Sequence, residues 1–151
     1  MKGPNVMLGY LRYEAPGVID PPEDGWYDTG DIVEIDDDGF VAILGRAKRF
    51  AKIGGEMVSL SAVESLATNA RPDHTHVVVN LPDPRKGEKL VLITDDEGLA
   101  RKDILEAARA QGISELAVPS DILCVDEVPL LGTGKVDYTS ARQIAEERAG
   151  Q

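Results

Sequence analysis

The chain has 151 residues, of which 42% are hydrophobic, so it can bury the core of one domain, or of one domain plus a piece of another. Its formal net charge of −11 argues against a nucleic-acid-binding face, which needs a local excess of Lys and Arg. A single cysteine, Cys124, excludes an intramolecular disulfide and fits a buried thiol in a reducing cytoplasm. We expect neither a signal peptide nor a membrane span, since no run of about 18 uncharged apolar residues occurs.

Residues 1–45 have the pattern of turns and short strands, because prolines and glycines interrupt them repeatedly. Two apolar-rich runs, 31–35 and 40–44, are predicted to form a hairpin around Asp36–Gly39, whose Asp-Gly pair favours a tight turn. The acidic run is a poor calcium loop, because no further oxygen ligands and no distal Glu follow at the required spacing. The segment is therefore predicted to be β-rich and without a helix.

The composition changes abruptly after this segment. Four cations lie between the second run and a Gly-Gly pair: Arg46, Lys48, Arg49 and Lys52. We place a domain junction at residues 46–49 because this basic stretch separates two differently patterned parts of the chain. The flanks of the Gly-Gly pair, 50–53 and 57–60, are predicted to pair as a small hairpin.

The rest of the chain alternates helical and extended patterns. Ser61 with Glu64 matches a capping box, and helical spacing of apolar residues follows until Pro72 ends it. Three β-strands and two further helices are predicted after it, in the order 76–81, 89–94, helix 102–111, 121–125 and helix 140–148. The expected fold of residues 50–151 is α+β, with a small sheet of about three strands, packed helices and a separate two-stranded hairpin.

A glycine-containing loop precedes the last helix and carries Lys135. Its Gly132–Lys135 spelling suits an anion, because backbone amides and an ammonium group attract one. The loop is not a P-loop, since that motif needs a glycine where this chain has Pro129 and a Ser or Thr where it has Val136. By itself, the loop is more typical of an ordinary turn with an exposed lysine than of an anion site.

Two histidines, His74 and His76, lie two residues apart where a strand begins. Alternate residues of a strand face one side, but no third ligand is near in the sequence, so we expect no zinc site and no other metal site.

Several motifs occur in one order along the chain: Tyr27–Asp31, Gly45–Arg46, Gly54–Glu56 and Pro129–Lys135. Together they resemble the adenylate-forming superfamily of acyl-CoA synthetases, luciferases and peptide-synthetase adenylation domains. A closer resemblance joins further segments to one bacterial subfamily, the bifunctional 2-acylglycerophosphoethanolamine acyltransferase/acyl-[acyl-carrier-protein] synthetases. Those segments are 2–11, 25–31, 45–52, 56–60, 115–119 and 129–132. The resemblance covers nearly the whole chain and implies a ligase of fatty-acid and phospholipid metabolism.

The resemblance implies a role for each matched position. Asp31 would accept hydrogen bonds from the nucleotide ribose, and Arg46 would lie near the ribose or phosphates. Lys48 would be the hinge about which a small carboxy-terminal domain swings between two catalytic orientations. Lys135 would stabilise negative charge while a fatty-acid carboxylate attacks the α-phosphorus of ATP. Without the family context, the first three are ordinary turn, strand-end and surface residues.

The Gly-Gly hairpin would serve the second half-reaction, in which a thiol attacks the acyl-adenylate. Its residues Lys52, Gly54, Gly55 and Glu56 would face the pantetheine arm of the acceptor, because small residues permit close approach of the backbone. The basic stretch 48–52 suits the acidic surface of an acyl carrier protein or its phosphopantetheine, and it equally suits a solvated hinge face.

The resemblance also implies that much of the active site lies elsewhere. Residues 1–45 correspond to the last strands of a large amino-terminal adenylation domain, residues 46–49 to the hinge and residues 50–151 to the small domain. Most of the site for ATP and Mg, and the acyl pocket, belong to the large domain, so no tight ATP binding is expected of this chain. Full-length members of the subfamily are cytoplasmic proteins associated with the inner membrane.

Three functions remain open from the sequence. The chain can be the carboxy-terminal portion of an acyl-carrier-protein ligase, inactive without its large domain. It can instead be a non-catalytic module that binds a carrier protein or its pantetheine through the basic stretch. The third interpretation is a structural domain that keeps the family fold and has lost its chemistry.

Overall fold

The computed structural model describes residues 1–149 of the chain. They form two compact units, the first from Met1 to Lys48 and the second beginning at Arg49. Within the described residues, no helix is long and apolar enough to cross a membrane.

The first unit consists of two antiparallel hairpins. Their strands are β1 (Tyr10–Arg12), β2 (Ala15–Asp20), β3 (Asp31–Ile35) and β4 (Val41–Arg46). A short 3-10 turn, Glu23–Gly25, lies between the hairpins, and its formation differs from the expectation of no helical structure in this segment. None of the side chains in residues 1–48 is buried.

The turn between β3 and β4 confirms the predicted hairpin. Asp36 Oδ1 accepts hydrogen bonds from the backbone N–H groups of Asp38 at 3.1 Å and Phe40 at 2.8 Å. Gly39 takes a φ of +84°, which side chains disfavour. The acidic run therefore serves to form the turn, because the carboxylate of Asp36 takes the place of backbone hydrogen-bond acceptors.

The second unit is a mixed α+β domain, which confirms the predicted fold class. Its elements are β5 (Phe50–Ile53), β6 (Glu56–Ser59), α1 (Leu60–Ala70), β7 (His76–Asp83), β8 (Gly87–Thr94), α2 (Arg101–Ala110), β9 (Asp121–Cys124) and α3 (Tyr138–Ala149). Cys124 ends β9 as a half-buried free thiol.

The strands of the second unit make a single sheet. Its order is β6-β5-β8-β7, and β9 runs parallel to β8 on the side that faces away from β7. The β5–β6 hairpin joins the others through the pair Ile53–Gly87, so it continues the sheet rather than standing apart from it. β7 is consequently an edge strand.

Two apolar cores lie on opposite faces of this sheet, because successive side chains of a strand point to opposite sides. On one face, α1 and α2 pack against residues such as Val78 and Leu92. On the other face, α3 covers residues such as Val77 and Ile93. The result is a three-layer domain in which the sheet is covered on both sides.

The start of α1 differs from the predicted capping box. Ser59, not Ser61, precedes the helix, and its hydroxyl accepts a hydrogen bond from the backbone N–H of Ala62 at 3.3 Å. The Glu64 carboxylate does not turn back to the helix start. It accepts a hydrogen bond from the backbone N–H of Val78 at 2.9 Å and pairs with Arg49. A long-range ion pair thus outcompetes the local cap.

Candidate functional site

The two predicted nucleotide-binding residues, Asp31 and Arg46, are opposite each other in the β3–β4 hairpin. Arg46 Nε lies 3.0 Å from Asp31 Oδ1, and Arg46 Nη1 donates a hydrogen bond to the backbone carbonyl of Thr29 at 2.8 Å. The antiparallel register brings the two together, because directly opposed side chains share one face of the hairpin.

The turn before β3 fixes the direction of Asp31. The backbone N–H of Asp31 donates to Thr29 Oγ1 at 3.2 Å, and the N–H of Gly30 donates to Asp28 Oδ1 at 2.8 Å. The Asp31 side chain is 17% exposed, whereas that of Arg46 is 67% exposed. A shielded carboxylate beside an exposed guanidinium offers acceptor oxygens and a planar donor fork at one place.

The predicted hinge residue, Lys48, lies in a short 3-10 turn, Ala47–Arg49, that follows β4 directly. Its side chain is exposed, and it is the last residue of the first unit. Its role as a hinge stays a prediction.

The predicted acceptor-facing residues occupy the β5–β6 hairpin. Gly54 and Gly55 form its two-residue loop, with φ values of +59° and +95°. Both positions have positive φ, as in the type I′ turns that suit the twist of paired strands. Lys52 and Glu56 flank the loop with exposed side chains. A Cβ at either glycine would meet no atom within 4 Å, so the surface of this loop is open.

The loop that carries Lys135 is closed on itself by backbone hydrogen bonds. The N–H of Leu131 donates to the carbonyl of Lys135 at 2.7 Å, and the N–H of Gly134 donates to the carbonyl of Leu131 at 2.8 Å. A bridge between Leu130 and Val136 lies next to these bonds. The side chain of Lys135 is exposed and has no hydrogen-bond or ion-pair partner within residues 1–149. An ammonium group is thus presented on a defined backbone.

Asp137 connects this loop to α3. Its backbone N–H donates to the carbonyl of Pro129 at 2.9 Å, and its carboxylate accepts from the hydroxyl of Ser140 at 2.8 Å. The hydroxyl and N–H of Ser140, with the N–H of Thr139, hold the pKa of the Asp137 carboxyl below its ordinary value. The carboxylate therefore caps the helix that follows Lys135.

Arg49 differs most from the expectation of an exposed basic stretch. Its side chain is 14% exposed, it pairs with Glu64, and its Nη1 donates to the carbonyl of Val78 at 2.9 Å. Its guanidinium also lies 4.0 Å from the centre of the Tyr138 ring. Lys48 and Lys52 keep exposed side chains, so Arg49 must be removed from the predicted docking patch.

The sequence patterns did not predict that Arg49, Glu64 and Tyr138 lie together, because these residues are far apart along the chain. Burial raises the pKa of the Tyr138 phenol and the Glu64 carboxylate raises it further, while Arg49 acts in the opposite direction. A half-buried arginine at this position could be suspected from the sequence only if its partner were known.

The two histidines have separate partners. His76 is buried, with Nε2 2.9 Å from the carbonyl of Arg71 and Nδ1 2.9 Å from Thr94 Oγ1. His74 Nδ1 lies 3.1 Å from Asp95 Oδ1. In residues 1–149, no group of three or more ligating side chains could hold a metal ion. The His-Thr-His pattern is used for hydrogen bonds within the domain.

Comparisons with known proteins identify relatives of the chain. It is 31% identical to the 2,3-dihydroxybenzoate-AMP ligase of Bacillus subtilis over 149 residues, which are 97% of this chain and 28% of that protein. It is 28% identical to the medium-chain fatty-acid–CoA ligase of Escherichia coli, with 99% of this chain and 27% of that protein covered. No family model matches the chain. The chain spans about 28% of the length of the curated relatives it matches.

Solved structures agree with the sequence relatives. ATP-bound MatB from Rhodopseudomonas palustris superposes with a TM-score of 0.65 at 28% identity, over 82% of this chain and 25% of that one. The fatty acyl CoA synthetase of Mycobacterium tuberculosis has a TM-score of 0.61 at 30% identity, with 81% and 24% covered. The homologues of this chain are thus adenylate-forming acyl- and aryl-acid ligases, and its α+β fold matches their carboxy-terminal domain.

Proposed function

We propose that this chain is the carboxy-terminal portion of an AMP-forming ligase that joins a fatty acid to an acyl carrier protein. The observation that carries the proposal is the exposed ammonium of Lys135, which has no partner in residues 1–149 and lies on a loop closed by backbone hydrogen bonds. Such a group can stabilise charge in a transition state, because the loop fixes the backbone position from which the lysine side chain reaches the substrate.

Lys135 would act in the first half-reaction. The fatty-acid carboxylate attacks the α-phosphorus of ATP, and pyrophosphate leaves with the bonding electrons. Negative charge gathers on the oxygens around phosphorus, where a fixed ammonium stabilises it without transferring a proton. For this step, the chain would need to supply only a cation near the α-phosphate, and Lys135 on its loop can supply one.

Asp31 and Arg46 fit the nucleotide part of that substrate. A carboxylate suits the two hydroxyls of ribose, and a guanidinium suits phosphate oxygens. Their direct contact at 3.0 Å supports a joint role, because the arginine fixes the position of the carboxylate.

The second half-reaction would use the β5–β6 hairpin. The carrier-protein thiol attacks the acyl carbonyl of the adenylate and AMP leaves, giving a thioester. The open loop at Gly54 and Gly55, flanked by Lys52 and Glu56, gives a pantetheine arm close access to the backbone. Rotation about Lys48 would exchange the Lys135 loop for this hairpin between the two steps.

A large amino-terminal domain is the partner that this proposal requires. Residues 1–48 expose apolar side chains on both hairpins, and the relatives are more than three times as long as the matched segment. Exposed apolar side chains include Leu8, Leu11, Tyr13, Phe40 and Ile43. Exposed apolar surface of this kind is unfavourable in water, so we expect another part of the protein to cover it.

Lys135→Ala in the full-length protein that contains this chain tests the role of the loop. ATP–pyrophosphate exchange with a fatty acid should fall about a hundredfold, the loss typical of one positioned charge-stabilising group. Thioester formation from supplied acyl-adenylate should stay within about threefold, because Lys135 acts only in the first step. Lys102→Ala, which removes an exposed lysine from α2, is the matched control. An equal loss in both steps would refute the two-orientation proposal.

A second experiment separates the acyl-carrier-protein ligase from a binding module. The full-length protein should form a thioester faster with holo carrier protein than with CoA, and the 151-residue chain alone should show no ATP–pyrophosphate exchange. Lys52→Glu should weaken carrier-protein binding in a salt-sensitive way, because Lys52 is exposed next to the open hairpin. Carrier-protein binding without any adenylation by the full-length protein would instead favour the non-catalytic module.

A further inference from the structure

The cluster around Arg49 lies at the free edge of β7. The Arg49 and Glu64 side chains, 14% and 16% exposed, form an ion pair there. Arg49 donates to the carbonyl of Val78, and Glu64 accepts from the N–H of the same residue, each at 2.9 Å. Since β7 is the last strand of the sheet on this side, no neighbouring strand within residues 1–149 satisfies these backbone groups. The ion pair therefore replaces a strand partner at Val78.

The same guanidinium reaches around the edge to the other layer. Glu64 belongs to α1, which covers one face of the sheet, whereas Tyr138 is the first residue of α3 on the opposite face. The guanidinium lies 4.0 Å from the centre of the Tyr138 ring, within the range of a cation–π contact. We call Arg49, Glu64 and Tyr138 the edge clamp. It connects both helical layers through one side chain.

The edge clamp lies between two parts of the proposed machinery. Arg49 directly follows Lys48 and is the first residue of the second unit. Tyr138 directly follows Asp137, which closes the Lys135 loop through its bond to the carbonyl of Pro129. A side chain that holds the start of α3 therefore also holds the end of that loop.

The chemistry of the contact specifies arginine. A planar guanidinium can pair with a carboxylate, donate to a carbonyl and stack on a ring at the same time. The ammonium of a lysine is a point charge and cannot make all three contacts in these directions. An exposed basic residue whose only task was solubility would need none of these contacts.

We propose that Arg49 is a positioning residue. Through the edge clamp it fixes the Lys135 loop to the part of the second unit next to the hinge, so that the loop and this part move as one rigid body. The inference rests on the proposed function for its catalytic consequence, and on the geometry alone for its structural one. It also confines backbone rotation between the units to the residues before Arg49, because Arg49 itself is held by three elements.

Hydrogen exchange in the full-length protein tests the structural part. In Arg49→Met, the N–H groups of Leu131 and Asp137 should exchange about tenfold faster, because loss of the clamp lets the loop open locally. Arg109→Met is the matched control. It removes an exposed pair with Glu115, whose side chains are 63% and 60% exposed, and should leave exchange in the loop unchanged. Unchanged exchange in Arg49→Met would overturn the proposal.

Half-reaction kinetics test the catalytic part. Arg49→Met should lower kcat for adenylation about tenfold with little change in the KM for ATP, since misplacing a catalytic group weakens transition-state binding. The double variant with Lys135→Ala should be no slower than Lys135→Ala alone, because the clamp acts through that lysine. Additive losses, or an equal loss in thioester formation, would reduce Arg49 to a structural role and overturn the proposal.

Variants at Tyr138 keep the test decisive if Arg49→Met does not fold. Tyr138→Phe retains the ring and should behave as the unaltered protein, whereas Tyr138→Leu should reproduce the faster exchange and slower adenylation. Equal behaviour of the two would contradict the clamp. If Lys135→Ala leaves adenylation intact, the proposed function fails, while the exchange experiment still decides whether Arg49 fixes the loop.

Discussion

The two units of this chain have similar apolar side chains and use them differently. Residues 1–48 bury none of theirs, although their strands are rich in Ile, Val and Leu. From Arg49 onward, the same kinds of residue fill two cores on the two faces of one sheet. This difference shows that an apolar pattern is sufficient to predict a strand. Whether the strand is stable within its own unit depends on a second layer of structure that packs against it.

Separate expression of the two units would give the largest effect. Residues 49–151 should fold alone with a cooperative denaturation transition, because they contain both cores. Residues 1–48 alone should show no tertiary structure, because isolated two-stranded hairpins are marginal in water. Dispersed amide resonances in two-dimensional NMR would report folding of each piece. A well-dispersed spectrum from residues 1–48 would break the comparison.

A pair of matched truncations sharpens the comparison at single residues. Leu92→Ala in β8, where the side chain is fully buried, should lower the free energy of unfolding of the second unit by about 3 kcal/mol through the cavity it leaves. Ile43→Ala in β4, where the side chain is 69% exposed, should change it by less than about 0.5 kcal/mol. Urea denaturation of the whole chain measures both. Equal losses would contradict the assignment of the core to the second unit.

The β5–β6 turn allows a smaller test of local backbone requirements. Gly55→Ala should destabilise the second unit by about 1 kcal/mol, because φ is +95° there and a Cβ disfavours that region. The cause is conformational, since no atom lies within 4 Å of the Cβ position. Gly132→Ala is the control, because that glycine also has open space and does not have a positive φ. Thermal denaturation should separate the two variants.

The smallest effect is expected from the cap at Asp137. Its folded pKa is lowered, first by the Ser140 hydroxyl, so the carboxylate contributes full stability above its unfolded pKa of about 3.9. That contribution is lost as the pH falls through the lowered folded value. The difference in Tm between the unaltered protein and Asp137→Ala should therefore shrink below about pH 4. Asp126→Ala, an exposed aspartate, controls for the lost charge.

Local patterns were sufficient for most secondary structure and failed for contacts between distant residues. The hairpin around Asp36 and the helix that ends before Pro72 follow from turn and helix chemistry within a few residues. The capping role given to Glu64 was wrong, because its partners Arg49 and Val78 come from other elements. Sequence spacing contains no information about such partners until the sheet order is known.

For the candidate site, too, the sequence predicted individual residues and missed contacts between distant ones. Asp31 and Arg46 were predicted separately, from the family resemblance. The register that brings them together has an irregularity between Ile32 and Val33, which the sequence pattern did not predict. Lys135 became a candidate through its family resemblance, since its local spelling also fits an ordinary turn. The exposure expected for Arg49 was wrong, because a basic residue next to other basic residues is expected to be solvated unless a half-buried carboxylate is known to lie beside it.

The position of α3 has a consequence for synthesis on the ribosome. The face of the sheet that carries Val77, Val79 and Ile93 is covered by Ala141 and Ala145, which are translated long after those strands. Until α3 leaves the exit tunnel, the nascent chain presents an uncovered apolar sheet. The helix that follows the Lys135 loop therefore protects this face of the sheet from aggregation once the helix has been synthesised.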